Sequence, residues 1–447
     1  MNPLCIVDDE PSICSTVANI LGDEGYPTLV FSDAETFWQR LDTMEPSLVL
    51  VDVWLPGQDG MQLLKRLHDR FPLLPIIMMS GHAGIEAAVA AIKSGAYDFL
   101  EKPLHLEALL DKVASALKHR PADCSTDLPS DTRLEIVSTD LEMPPGVVDV
   151  VDSFEPQRTL KGNMVLNGIG LLSGRNTGII LTPLGINKGI VFQTLDGHTI
   201  RGHITSVEGF SQAGKSKTFS ANSTTLSKGR RRVRTVEHLM AVLSMYGITN
   251  VLIKVNEEVP NIDGSAKGFC DLIEEAGIEE QPAFTTVAVI RQKIGVGNEE
   301  RHEKHLFAEP FDGFEISMRV DYPIPIGEQT LTFNPSRGSF VKEIAPARSF
   351  NTFENIEMAQ KSGKVGGGYL HSHIIMYDGK VINTELRYFD EFVRHKILDL
   401  IGDLYLLGFP IRGRIIANMT SHGYNQALVE RLFRAIQSNA EMMQKKP

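Results

Sequence analysis

Cysteine is scarce in these 447 residues, and the four present (Cys5, Cys14, Cys124 and Cys270) show no CxxC spacing. That excludes a disulfide framework and a thiolate metal site, and it predicts the reduced thiols of a cytosolic protein. Positive charge is in deficit: 44 Lys and Arg stand against 56 Asp and Glu, a formal net charge of -12. Such a balance argues against a general nucleic-acid binder. The one basic run, KGRRRVR at 228–234, reads as a solvated hairpin or a phosphate-facing strand. No apolar run approaches the roughly 18 residues needed to cross a bilayer, so no membrane span is expected. The amino terminus has no basic start and meets Asp8, Asp9 and Glu10 after a short apolar stretch, so no secretory signal is predicted. A cytoplasmic location is the expectation. What is present, 42% hydrophobic and 22% charged residues, suits a globular chain. Its length calls for two or three domains.

The first 119 residues alternate short apolar runs with amphipathic stretches. Strands are predicted at Leu4–Val7, Leu48–Val53, Pro75–Met79 and Phe99–Leu100, and helices at Ser12–Leu21, Met61–Leu67, Glu86–Ser94 and Glu107–Leu117. This order implies an α/β domain with a parallel sheet covered by helices on both faces. Residues 120–156 carry Pro121, Pro129, Pro144 and Pro145 among polar residues and read as a linker. Within it Glu135–Val137 and Val147–Val151 are the segments that could pair as strands. From 157 to 447 the pattern is α+β, with strand-like runs at Ile179–Leu181, Val251–Val255, Val287–Ile290 and Phe314–Val320. Helices are predicted at Val236–Met245, Lys267–Ala276, Glu354–Lys361, Asp390–Leu407 and Tyr424–Met442. Layered sheets with helices between them are the expected architecture.

In the first domain, acidic and basic residues fall at strand ends. Asp8 and Asp9 follow the first strand, Asp52 ends the third, and Lys102 follows the fifth. Ligands of an open parallel sheet gather at the carboxyl ends of its strands, so these residues should converge. Three carboxylates suit a hard ion such as Mg2+. One beside such an ion can accept a phosphoryl group while the metal and a lysine neutralise charge. Ser80, ending PIIMMS, is placed to hydrogen-bond that group. These residues, with DDE at 8–10, VDVWLPGQDG at 51–60, SGHA at 80–83 and GAYDFLEKP at 95–103, closely resemble the response-regulator receiver family. The resemblance implies a five-stranded parallel sheet and Asp52 as phospho-acceptor. It further implies that Asp8 and Asp9 help hold Mg2+, that Ser80 and Lys102 bind the phosphoryl group, and that a sensor histidine kinase is the partner.

In the second domain the informative stretch is DEFVRHKILDLIGDLYLL at 390–407. His395 and Asp399 lie four residues apart and share one helix face, and Asp403 continues the stripe. Such a face can supply two ligands to one metal, although taken alone the pair reads first as a surface ion pair or a cap. TVEHL at 235–239 adds His238 as a third ligand, which would leave an open position for water, and places Glu237 beside that water as a base. His422 is then a candidate proton donor to a leaving amine, oriented by Asp403.

Together with RTLKG at 158–162, TVEHLMAVLSMYGITN at 235–250, NIDGSAKGF at 261–269, ARSF at 347–350 and DEFVRHKILDLIGDLYLLG at 390–408, these residues resemble the UDP-3-O-acyl-N-acetylglucosamine deacetylase family. The resemblance spans nearly all of 157–436. It implies an α+β domain of two layered sheet and helix subdomains that removes the N-acetyl group of a UDP-linked acylated amino sugar in lipid A synthesis. It also implies zinc held by His238, His395 and Asp399, Glu237 as general base and His422 as general acid. Ser349, where the family usually has threonine, would stabilise the oxyanion. Lys396 and Phe350 would contact the sugar nucleotide, and Lys304 its diphosphate.

Departures from the family pattern are visible. Its usual glycine-leucine-histidine-threonine-glycine run reads GLLSG at 170–174, with Leu172 for the histidine. Gly366–His373 reads GGGYLHSH, where His371 and His373 are expected to face solvent or core rather than a second metal. Ser421 stands where glycine is usual. Phosphorylation of the receiver would modulate the enzyme. The alternative is a signalling protein whose deacetylase-like half senses a sugar nucleotide with little catalysis.

Overall fold

A computed structural model describes residues 2–444 apart from 42–43, 56–58, 72–73, 82–90, 92–93, 105, 119–133, 138–144, 211–216, 221, 300–302, 324–325 and 357–371. Most of the helices expected at Glu86–Ser94 and Glu354–Lys361, and His371, fall outside the described residues. The contacts divide the chain into two compact units, the first Met1–Leu128 with 360–363 and the second the remainder.

The first unit runs β1 (Leu4–Val7), α1 (Pro11–Asp23), β2 (Thr28–Phe31), α2 (Ala34–Arg40), β3 (Leu48–Asp52), α3 (Gly60–Arg70), β4 (Ile76–Ser80), β5 (Asp98–Glu101) and α4 (Leu106–Lys118). The five strands are parallel in the order β2-β1-β3-β4-β5. Every residue of LCIV, LVLVD and IIMMS is buried. Strands covered on both faces read as unbroken apolar runs, which is why β1, β3 and β4 were visible in the sequence. The edge strand β2 is half exposed, and its apolar run is limited to Leu29–Phe31. Asp33 caps α2 through Thr36 N at 2.8 Å, and Asp59 caps α3 through Met61 N at 3.0 Å, each satisfying an otherwise unpaired N–H.

The second unit has two larger sheets. One is ordered Thr199–Arg201, Ile190–Thr194, Val251–Val255, Asn176–Pro183, Met164–Ile169. The other is ordered Ile294–Gly297, His305–Glu309, Ile411–Asn418, Ile278–Ile290, Val148–Leu160, and the hairpin Phe314–Tyr322/Gly327–Phe333 joins it through Ile411–Asn418. The helices are α5 (Glu237–Met245), α6 (Lys267–Ala276), α7 (Glu391–Tyr405) and α8 (His422–Gln444). One continuous core draws Phe192 and Ile253 from the first sheet, Ile316 and Ile415 from the second, and Leu239, Phe269, Leu398 and Leu428 from the helices. The basic run forms a hairpin, with Leu226–Lys228 antiparallel to Arg231–Val233.

The segment read as a linker is more structured than expected. Leu134–Val137 and Val148–Leu160 are both strands, but they do not pair with each other. The first pairs with Lys217–Ser220, and the second with Ile278–Ile290 in the larger sheet. The second sheet therefore starts upstream of residue 157. Its register shifts on both sides of the Pro156–Phe284 pair, because proline has no N–H to give to a ladder.

Candidate active site

Helices α5 and α7 meet where Gly402 faces the first turn of α5. A Cβ at Gly402 would lie 1.9 Å from the Glu237 carbonyl oxygen and 3.2 Å from Ala241 N. Only a bare Cα permits this approach, and it sets the side chains of the two helices against one another. Every residue of α7 except Arg394 is buried. Two residues before α5, Thr235 adopts φ 53 and is anchored by its hydroxyl to the Val259 carbonyl at 3.1 Å. A β-branched residue in that region stores about 1–3 kcal/mol, held by its surroundings at the entry to the site.

The ligand atoms of His238, His395 and Asp399 lie within 4.8 Å of one another, all three residues buried. Nε2 of His238 is 3.4 Å and Nε2 of His395 is 3.5 Å from the same Asp399 Oδ1. The imidazole rings meet edge to face at 5.1 Å. Nδ1 of His395 is 3.1 Å from the Ala347 carbonyl, an oxygen that only accepts, so Nδ1 holds the proton and Nε2 presents its lone pair. Burial pushes the His395 pKa down to about 4, which keeps that lone pair free near neutrality. Burial works against the charged form of Asp399, yet His395, Lys396 and His422 hold its carboxyl well below the usual range. A lone pair and a carboxylate oxygen converging on one point repel unless a cation lies between them, and this donor set suits zinc.

Glu237 lies on one side of the triad, its Oε2 accepting from Thr224 N at 3.1 Å. Burial pushes its carboxyl up to about 7, against the pull of His422 and His238. His422, the first residue of α8, has Nδ1 2.8 Å from Asp403 Oδ2 and Nε2 4.0 Å from Glu237 Oε1. Burial alone would lower the His422 pKa, but Asp403 and Asp399 outweigh it and raise it to about 9. Asp403 is completely buried and also accepts from Asn425 Nδ2 at 2.8 Å and Thr224 Oγ1 at 2.5 Å.

Around this centre opens a cleft of about 930 Å³. Glu237, His238, Lys304, Ser349, Phe350, His395, Lys396, Asp399 and His422 all line it, so the expected residues come together from strands, loops and three helices. Asp403 stands behind His422. Lys396 Nζ lies 3.1 Å from Asp399 Oδ2. The Phe350 ring packs on Phe392 at 4.9 Å and Tyr322 at 5.7 Å. Ser349 and Phe350 are steadied from behind by Arg348, whose Nε is 2.9 Å from the buried Glu391. Leu172 is buried with its N–H donated to Glu258 at 2.7 Å; it is Leu171 that lines the cleft. No local sequence signal marks Thr224, which contacts both Glu237 and, 179 positions further on, Asp403. Asn425 carries no local signal either. His373 is buried in the cleft wall, where burial pushes its pKa down to about 3.

In the first unit, ligand atoms of Asp8, Asp9 and Asp52 lie within 4.8 Å of one another. Lys102 Nζ is 2.8 Å from Asp8 Oδ2 and 3.1 Å from Asp52 Oδ1. Burial raises the Asp52 pKa, with Lys102 opposing it. Ser80 ends β4 and accepts Lys102 N on its carbonyl at 2.8 Å. Three carboxylates against one lysine leave net negative charge that a hard divalent cation would balance.

Fold and sites define the class: a receiver domain joined to a deacetylase domain. A family model for UDP-3-O-acyl N-acetylglycosamine deacetylase matches residues 157–434, and one for the response regulator receiver domain matches 4–114. The chain belongs to the UDP-3-O-acyl-N-acetylglucosamine deacetylase family and carries a receiver domain. It is 37% identical over 281 residues to a protein of that name from Thioalkalivibrio sulfidiphilus, covering 62% of this chain and 89% of the relative. The namesake from Acidithiobacillus ferrooxidans is 39% identical over 284 residues, covering 62% and 89%. Among solved structures, the receiver domain of NtrX from Brucella abortus is 43% identical and covers 26% of this chain and 98% of that one, with a TM-score of 0.25. Among the described residues, no helix is long and apolar enough to cross a membrane.

Proposed function

We propose that this protein removes the N-acetyl group of a UDP-linked 3-O-acyl-N-acetylglucosamine in a zinc-dependent hydrolysis in the cytoplasm. His238, His395 and Asp399 would hold the metal. Bound there, zinc would supply Lewis-acid polarisation of the amide and acidify a water molecule. Glu237 takes a proton from the attacking water, whose oxygen adds to the acetamido carbon. Ser349 lies where its hydroxyl can turn from the Gly264 carbonyl (3.1 Å) toward the oxyanion. The C–N bond then breaks as His422 Nε2 gives its proton to the departing amine, releasing acetate. Asp403 holds the imidazolium in place for that step. Phe350, Lys396 and Lys304 would position the sugar nucleotide.

One observation carries this reading. A glutamate pushed up toward neutrality and a histidine held protonated flank the same ligand triad, with Glu237 Oε1 and His422 Nε2 4.0 Å apart. A sugar-nucleotide sensor would have no use for that opposed pair. The test is acetate release from the substrate by protein stripped of metal, with and without added zinc. Release restored by zinc is expected; binding without release at any zinc level overturns the proposal.

In the receiver, Asp52 would accept a phosphoryl group from a sensor histidine kinase, with Mg2+ held by Asp8, Asp9 and Asp52 and the new charge met by Lys102 and Ser80. Phosphorylation would shift a two-state equilibrium of the receiver and so modulate turnover. Acetyl phosphate with Mg2+ is expected to change kcat of the wild-type chain and leave that of Asp52→Ala untouched. An unchanged kcat in a chain shown to be phosphorylated refutes the coupling.

A further inference from the structure

The cleft wall holds one buried imidazole that the mechanism above leaves unused. Strand Ile374–Tyr377 runs parallel to Phe350–Thr352 with Phe350 opposite Ile374, and Ile374 N donates to the Ser349 carbonyl at 2.7 Å. His373 and Ser349 are therefore neighbours across this pair, one residue before it. Residues opposite each other on paired strands project to one side, and both line the cleft together with His395. The Ser349 hydroxyl has a single proton, and it is donated to the Gly264 carbonyl at 3.1 Å. It must turn away from that partner before it can serve a substrate oxygen.

Behind His373 stands a hydrogen-bonded support. Asn261 Nδ2 donates to Ser372 Oγ at 2.6 Å, and Ser372 Oγ lies 3.2 Å from His373 Nδ1. We infer that His373 is a further catalytic residue: Ser372 donates to its Nδ1, its Nε2 keeps the proton, and that N–H donates to the acetamido carbonyl oxygen as negative charge develops there. Two side chains hold the donor in place before substrate arrives, so it needs no reorganisation during the reaction. With Nε2 protonated it is not a metal ligand, in keeping with its place outside the cluster formed by His238, His395 and Asp399. The inference rests on the deacetylase reading above.

The test compares wild type, His373→Phe and His373→Gln as full-length, zinc-loaded chains. His373→Phe keeps an aromatic ring without the donor, and His373→Gln restores an N–H. Loss of one oxyanion donor predicts a fall in kcat of about 10²-fold in His373→Phe, with KM and zinc content little changed and part of the rate recovered in His373→Gln. Metal-free protein labelled with 15N-histidine supplies a readout independent of turnover. The resonances lost in His373→Phe should show a protonated Nε2 and an unprotonated Nδ1. An undiminished kcat in His373→Phe, zinc lost in step with activity, or a protonated Nδ1 each overturns the inference. A wild-type protein that releases no acetate instead overturns the deacetylase reading itself. Should His373→Phe fail to fold, His373→Leu asks the same question without the larger ring.

Discussion

Replacing Glu237 by glutamine is expected to lower kcat for acetate release about 10²–10⁴-fold, the usual contribution of a positioned base, with zinc content unchanged. The substitution keeps the shape of the side chain and its acceptance from Thr224 N, so the fold has no reason to respond. What it removes is the carboxylate that takes a proton from water. The wild-type pH profile follows from the two flanking groups. Glu237 must be deprotonated to act, so activity falls as pH drops through its pKa, pushed up to about 7 by burial. His422 must be protonated, so activity falls again as pH rises through a pKa of about 9. A cation at the triad lowers both values, which moves the whole bell toward lower pH without reversing either limb. In Glu237→Gln the acid limb should vanish from whatever activity remains. Wild-type turnover in that variant, or an acid limb that persists, would remove Glu237 from the mechanism.

Gly402→Ala should be destabilising and nearly inactive, although alanine is favoured over glycine inside a helix by about 1 kcal/mol. The sign reverses because the new Cβ would sit 1.9 Å from the Glu237 carbonyl oxygen. That atom belongs to backbone and cannot rotate aside, so α5 and α7 must separate. Overpacking of this kind costs about 1–3 kcal/mol or more. The functional loss should be larger than the loss of stability suggests, because a misplacement of about 1 Å can cost 10²-fold in rate. Here the displaced helices carry the proposed base and all three proposed ligands. Thermal unfolding, zinc affinity and kcat measured on one preparation decide the matter. A melting temperature equal to or above wild type would show that the two helices do not meet at Gly402.

What was legible in the sequence is what repeats locally. His395, Asp399 and Asp403 fall one turn apart, and Glu237 and His238 open an apolar helix, so the candidate ligands and base stand out locally, while their roles came from the family resemblance rather than from spacing. The apolar runs LVLVD and IIMMS did the same for the central receiver strands. The remainder depends on contacts between distant segments. Thr224 has no local mark, since its meaning comes from Asp403, far along the chain. Only the start of Val148–Leu160 showed, as Val147–Val151, and its extent and pairing were hidden for a different reason: Pro156 interrupts it, prolines and polar residues precede it, and its partner Ile278–Ile290 lies well over a hundred positions on. His373 shows the same limit. His371 and His373 alternate in sequence as on a strand, but only the pairing beside Ser349 and Phe350 reveals that its wall faces the cleft.

The near-complete burial of α7 bears on how the site can come apart. Backbone amides exchange with solvent only when their hydrogen bonds open, and a helix with no outer face opens with the core around it. The slowest-exchanging amides of the domain should therefore include those of His395 and Asp399. Fraying offers these ligands no route out of position, so the lifetime of an assembled centre is tied to the rate at which the whole domain unfolds.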